Sequence, residues 1–98
     1  MPVLFLRPAY DEMNAAARFY ESKSPNLGKR FLTEIQHTSE RISERPNLSK
    51  KIRGDIRRRF VKGFPYALLY TVETEEIIII AVMHLRRDPA YWTSRFKR

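Results

Sequence analysis

The chain has 98 residues, which is the size of one domain, and we expect residues 1–98 to form one. It contains no cysteine, which excludes a disulfide framework and a thiolate metal site. No apolar run approaches the ~20 residues of a membrane-spanning helix, and no secretory signal is visible at the start. We therefore expect a cytoplasmic protein without a membrane partner.

The formal net charge of +8 is unevenly distributed along the chain. Residues 1–49 carry seven Lys or Arg and six Asp or Glu, whereas residues 50–98 carry twelve and five. Within the second half, residues 50–62 contribute seven bases and one acid, and residues 86–98 contribute five and one. This basic half favours a polyanionic partner, such as a nucleic acid or an acidic protein segment.

The N-terminal half predicts one strand followed by two helices. Residues 3–7 are short and mostly apolar and precede Pro8, as is typical of a strand. Two stripes of apolar or small side chains at helical spacing follow, separated by a break at residues 24–26. The stripes are Ala9, Met13, Ala16, Ala17 and Tyr20, then Leu27, Phe31, Ile35, Thr38 and Ile42. They predict an αα-hairpin that ends before Pro46.

The C-terminal half predicts three consecutive strands. Residues 47–55 are polar and basic and are interpreted as a loop, and residues 56–62 alternate as a basic strand. A Gly-Phe-Pro turn at 63–65 follows, and residues 66–72 and 77–83 are β-branched or aromatic on both parities. A short hairpin turn joins these last two strands.

The order β-α-α-β-β-β predicts an α+β fold, in which a small antiparallel β-sheet packs on an α-helical hairpin. The first strand is expected to pair beside the last strand, because a single strand is not stable alone. The hairpin then covers one face of the sheet, and we expect the other face to remain open.

Candidate functional groups lie at the ends of the predicted strands. His84 closes the last apolar run and is followed by Arg86 and Arg87, which favour the neutral imidazole that can act as a base. Lys62 ends the basic strand. In an antiparallel meander this strand and the last one end at the same edge of the sheet, so Lys62 and Arg87 could converge there with His84.

Other side chains are candidates for contacts with a nucleic acid or another target. Arginines supply phosphate contacts, and aromatic rings can stack on bases. The candidates are Arg53, Arg57, Arg59, Arg86, Tyr91, Trp92 and Arg95. No spacing of His, Asp or Glu indicates a metal site, and no glycine-rich phosphate loop is present, so no cofactor is expected.

Two strings of the C-terminal half resemble the RelE/ParE toxin superfamily. They are FPYALLYTV at 64–72 and IIIIAVMHLRRDPAYW at 77–92, followed by Arg95. The resemblance extends over the full length and implies an antiparallel sheet that carries a helical hairpin. It also implies a toxin of a type II toxin–antitoxin module. Such a toxin is encoded together with an acidic antitoxin that wraps around it and forms a hetero-oligomer with it.

The superfamily has two branches with different targets. The RelE-like branch cleaves messenger RNA on the ribosome, and by resemblance Lys62, His84 and Arg87 would be the catalytic residues of a metal-independent endoribonuclease. The ParE-like branch inhibits DNA gyrase. The FPY and HLRR strings look more like ParE or plasmid-stabilisation proteins, so a ParE-like growth inhibitor is the first prediction. The ribonuclease and a non-toxic nucleic-acid-binding module are the alternatives.

Overall fold

The computed structural model describes residues 1–96. It contains two helices and five strands in the order β1 (Val3–Phe5), α1 (Arg7–Lys23), α2 (Leu27–Glu44), β2 (Lys51–Arg53), β3 (Ile56–Phe60), β4 (Tyr66–Val72) and β5 (Ile77–His84). This α+β architecture confirms the predicted fold class. Neither helix within residues 1–96 is both long enough and apolar enough to cross a membrane.

The helical hairpin turns sharply and packs closely. Asn26 takes a left-handed conformation (φ 70°) between the helices, and the Glu21 carboxylate accepts hydrogen bonds from the backbone N–H groups of Asn26 and Gly28, both 3.0 Å long. A Cβ at Gly28 would lie 2.5 Å from the Ala17 carbonyl oxygen, so the absence of a side chain lets the two helices approach.

The sheet is mixed and has the strand order β1-β5-β4-β3-β2. The predicted pairing of the first strand with the last is confirmed, but β1 runs parallel to β5, with Val3 opposite Ile77. The sheet is therefore not wholly antiparallel as expected. The two helices connect β1 at one edge of the sheet to β2 at the opposite edge.

The predicted loop at 47–55 was wrong in part, because its end forms the edge strand β2. Lys51 pairs with Arg57 and Arg53 with Ile56 across a tight turn. Gly54 adopts φ 55°, a conformation that glycine reaches without a steric penalty. The Gly-Asp pair at this turn therefore allows the chain to fold back as a hairpin.

The helices cover one face of the sheet and form the larger core. Buried side chains of α1 and α2 meet those of β4 and β5 that point to the same face. The fully buried members include Ala9, Phe31, Ile42, Leu68, Tyr70, Ile77 and Ile79.

The opposite face is not open, and that expectation was wrong. Residues 85–96 fold back as a series of turns, and they place Trp92 in a second core with Leu69, Ile80, Ala81 and Met83. Trp92 is only 4% exposed. Because β4 and β5 are apolar on both parities, a second cover is needed, and the C-terminal segment supplies it.

Candidate functional site

A carboxylate on α1 organises the C-terminal segment. Glu12 accepts two hydrogen bonds from the Arg95 guanidinium, 2.8 Å and 2.9 Å long, and one from the Tyr91 hydroxyl at 2.7 Å. Arg87 Nη1 lies 3.8 Å from Glu12 Oε2. The guanidinium of Arg87 stacks over the Tyr91 ring, with 3.9 Å between Cζ and the ring centroid. Glu12 and Arg95 are 16% and 17% exposed, so this pair is largely shielded from water.

The same pair completes the edge of β5. Leu69 pairs with Ala81 and Tyr70 with Ile79, which leaves Ile80 as the extra residue of a β-bulge. The bulge turns the Ile80 carbonyl and the Val82 N–H toward the side where β1 has already ended. Arg95 donates to the Ile80 carbonyl (3.2 Å), and Glu12 accepts from the Val82 N–H (3.1 Å). Two side chains thus take the place of a neighbouring strand.

Burial and hydrogen bonding fix the protonation of this cluster. Burial, the hydrogen bond to Glu12 and the Glu12 charge together raise the pKa of Tyr91 well above its usual value of 10.0. The hydrogen bond with Glu12 raises the pKa of Arg95. Tyr91 therefore remains a neutral donor, and Arg95 remains a cation.

A shallow groove of about 230 Å³ lies between α1 and the ends of β4 and β5. Its walls combine small and aromatic side chains with the titratable groups of the strand ends. The lining residues are Glu12, Ala15, Ala16, Phe19, Tyr66, Val82, His84 and Arg87. His84 and Arg87, two of the three predicted catalytic residues, thus lie at one groove.

His84 is held by two local contacts. Its Nδ1 accepts a hydrogen bond from the Arg86 backbone N–H (3.0 Å). Its ring packs edge-on against the Tyr66 ring, with 5.1 Å between the ring centroids. When Nδ1 accepts, the neutral imidazole carries its proton on Nε2, which is then a donor. The Nε2–H group is therefore the ring donor of His84 that is left for a partner.

Lys62, the third predicted catalytic residue, follows β3 at the same end of the sheet but does not line the groove. The parallel strands β3 and β5 are separated by β4, which corresponds to about 10 Å between them. The structure therefore brings His84 and Arg87 together and leaves Lys62 on the far side of β4.

The predicted binding arginines are divided between the two faces of the sheet. Arg57 and Arg59 lie opposite Tyr70 and Leu68, on the helical face, and Arg57 donates to the carbonyls of residues 47 and 49. Arg53 lines a separate groove on the other face, and Arg86 is exposed after β5. The basic groups thus do not form one continuous surface.

The predicted C-terminal candidates are engaged within the chain. Trp92 is in the second core, while Tyr91 and Arg95 contact Glu12. Lys97 and Arg98, which belong to the second basic block, lie outside the described residues.

Sequence reasoning missed Glu12 as the centre of this cluster, although a signal was present. Glu12 falls three residues after Ala9 and four before Ala16, which places an acid within the apolar stripe of α1. A carboxylate on a buried face requires a cationic partner. Nothing in the local sequence identifies Arg95 as that partner.

Within residues 1–96, no group of three or more His, Cys, Asp or Glu side chains is arranged to hold a metal ion. The groove instead presents donors and a cation beside an apolar helix face.

The structure is that of a small basic α+β protein with a groove at one end of its sheet. Comparison with known families is more specific: the family model for the ParE toxin of the type II toxin–antitoxin system, parDE, matches residues 3–89. The chain belongs to this ParE toxin family. The match confirms the resemblance to the RelE/ParE superfamily.

A solved structure shares this fold. It is described as the chromosomal ParDE toxin–antitoxin system from P. aeruginosa, and it aligns with a TM-score of 0.65 at 15% identity. The alignment covers 88% of this chain and 97% of that chain. No curated protein matches this chain significantly.

Proposed function

We propose that this chain is a growth-inhibiting toxin that acts on DNA gyrase in the cytoplasm until a cognate antitoxin sequesters it. The observation that carries the proposal is the ParE family match over residues 3–89. The gyrase target follows the ParE-like branch of the superfamily, which the FPY and HLRR strings resemble.

The groove chemistry supports binding rather than RNA cleavage. A ribonuclease that used His84 as its base would need a free ring nitrogen, but Nδ1 accepts the Arg86 N–H and Nε2 carries the proton. The Tyr91 hydroxyl is already donated to Glu12, and the pKa of Tyr91 is raised by burial. With Lys62 beyond β4, the three predicted catalytic residues do not meet at one point.

The charge distribution supports an acidic antitoxin. The net charge of +8 would attract a chain of opposite sign, and such a chain could be partly disordered before it binds. Sequestration of the toxin would then produce a toxin–antitoxin hetero-oligomer.

The test is controlled expression combined with a purified gyrase assay. We expect growth arrest with intact messenger RNA and relaxed or broken DNA, and loss of supercoiling by purified gyrase in the presence of the toxin. Addition of the acidic protein encoded next to the toxin gene should restore supercoiling. Relaxation of the same DNA by topoisomerase I serves as a control, because a basic protein that merely coats DNA would inhibit both enzymes.

The alternatives give different results. Cleaved ribosome-bound messages with normal supercoiling would assign the chain to the endoribonuclease branch. Absence of any growth defect, with the folded protein present in the cell, would overturn the toxin proposal and leave a nucleic-acid-binding module.

A further inference from the structure

A second groove lies on the sheet face opposite the helices, between β2–β3 and the C-terminal segment. It has a volume of about 310 Å³. Its walls carry two guanidinium groups above an apolar surface, with Arg53 and Arg58 lining it together with Ile52, Met83, Pro89 and Trp92. No carboxylate lines this Arg53–Arg58 groove within the described part of the chain.

The two guanidinium groups of this groove have no polar partner within the described residues. Neither Arg53 nor Arg58 forms a side-chain hydrogen bond or ion pair with another of residues 1–96, although Arg58 stacks on the Phe60 ring at 4.7 Å. Their neighbour Arg57, in contrast, donates to two backbone carbonyls at 3.0 Å and 2.7 Å. The groove therefore retains positive charge that no anion among residues 1–96 neutralises.

Trp92, another residue that lines this groove, has a hydrogen-bond donor without a partner in the described part of the chain. Its side chain is 4% exposed, yet its Nε1–H has no hydrogen-bond acceptor among residues 1–96. A buried donor without an acceptor costs about 1–3 kcal/mol. The two free guanidinium groups favour an anionic oxygen as the ligand of this groove, which the Trp92 side chain also lines.

The edge of the sheet favours a polypeptide as the source of that oxygen. β2 is the last strand of the sheet, and its outer side pairs with no other strand in the described structure. An extended segment can add to such an edge and place alternate side chains over the groove. Phe60, an exposed ring on the same face of β3 as Arg58, is stacked under the Arg58 guanidinium, which reduces the surface available to nucleic-acid bases.

We propose that the Arg53–Arg58 groove binds a carboxylate side chain from an extended segment of a partner protein in which acidic and apolar residues alternate. The antitoxin proposed above is the natural source of such a segment, and the inference rests on the proposed function for the partner's identity only. The chemistry of the contact can be tested on the isolated chain.

The chain has a single tryptophan, so one indole N–H resonance reports on the groove. Full-length ¹⁵N-labelled protein is titrated with a capped peptide that alternates Val and Glu, and with the same peptide carrying Gln in place of Glu. We expect the Glu peptide to shift the indole resonance saturably and the Gln peptide to bind at least tenfold more weakly.

Neighbouring arginines on opposite faces of β3 supply matched variants. Arg58→Gln should weaken binding of the Glu peptide about tenfold, because a hydrogen bond to a charged group is lost. Arg59→Gln removes the same charge from the helical face and should change the affinity less than twofold. Spectra of both variants must retain native dispersion, which separates loss of binding from loss of folding.

Several outcomes would overturn the inference. These are an indole resonance unmoved at millimolar peptide, equal binding of the Gln peptide, or equal losses in the two variants. An oligothymidine that binds more tightly and shifts the same resonance would assign the groove to nucleic acid. A chain that binds the peptide but does not arrest growth would overturn the toxin proposal and leave this one intact.

Discussion

Glu12 and Arg95 lie 83 residues apart in the chain and form a two-point ion pair, with distances of 2.8 Å and 2.9 Å. The pair joins the first helix to the segment that covers the far face of the sheet. A two-point pair between a carboxylate and a guanidinium fixes orientation as well as distance. It therefore fixes the position of the C-terminal segment relative to α1.

We predict that Glu12→Gln destabilises the protein by about 3 kcal/mol, because it leaves Arg95 largely buried without a counter-charge. Chemical denaturation followed by circular dichroism measures the change. Asp11→Asn is the control on the next residue, since the Arg7–Asp11 pair is 83% and 60% exposed. Exposed pairs contribute about 0–1 kcal/mol, so equal losses in the two variants would contradict a special role for Glu12.

We predict that Tyr91 makes the free energy of unfolding depend on pH in the alkaline range. Burial raises the pKa of Tyr91 above its usual value of 10.0, so the folded state retains the proton that the unfolded state releases. The associated stability is present below pH 10 and is lost as the pH rises through and beyond that value.

Tyr91→Phe should therefore flatten the decline in the free energy of unfolding above pH 10, by up to about 1.4 kcal/mol per pH unit. Tyr10→Phe removes a hydroxyl from an exposed tyrosine and should leave the decline unchanged. The measurement is urea denaturation at a series of pH values from 8 to 11. Parallel curves for Tyr91→Phe and the wild type would refute the prediction.

We predict that Trp92 contributes strongly to the stability of the folded protein. Trp92→Ala should cost about 3–5 kcal/mol, because it removes the largest side chain of the second core. Phe19→Ala, at a ring that is 55% exposed, should cost less than about 1 kcal/mol. Thermal unfolding of both variants tests this, and a folded, fully stable Trp92→Ala protein would show that the C-terminal cover contributes little.

Gly28 is predicted to be essential for the helical hairpin. Gly28→Ala introduces a Cβ that lies 2.5 Å from a backbone oxygen of α1, so the helices must separate. We expect a net loss of about 1–3 kcal/mol, although alanine favours a helix by about 1 kcal/mol over glycine. Gln36→Ala, on an exposed position of α2, should be neutral or slightly stabilising in the same denaturation assay.

Periodicity explains why much of the fold could be predicted. The helical stripes are regular, and the strands are bounded by Gly, Pro and acidic turns. The placement of β1 beside β5 followed from the need of a short strand for a partner. Whether β1 runs parallel or antiparallel to β5 could not be predicted, because a strand of three residues fits either direction equally well.

The site was less predictable, for physical reasons. A run of four isoleucines at 77–80 is apolar on both parities, so no alternation reveals the bulge at Ile80. The bulge decides which backbone groups meet Glu12 and Arg95. The shared position of His84 and Arg87 at one groove could be predicted because both residues follow the end of one apolar strand. The convergence of Lys62 with them depended on the spacing between strands, which the sequence does not encode.

The pairing of β1 with β5 also constrains how the protein can be made. Val3 pairs with Ile77, so β1 cannot join the sheet until β5, which lies 74 residues later in the chain, has been synthesised. The sheet and both cores close only after nearly the whole chain has emerged from the ribosome. Chains that end before β5 would lack the strand that joins β1 to β4, and both cores would be incomplete.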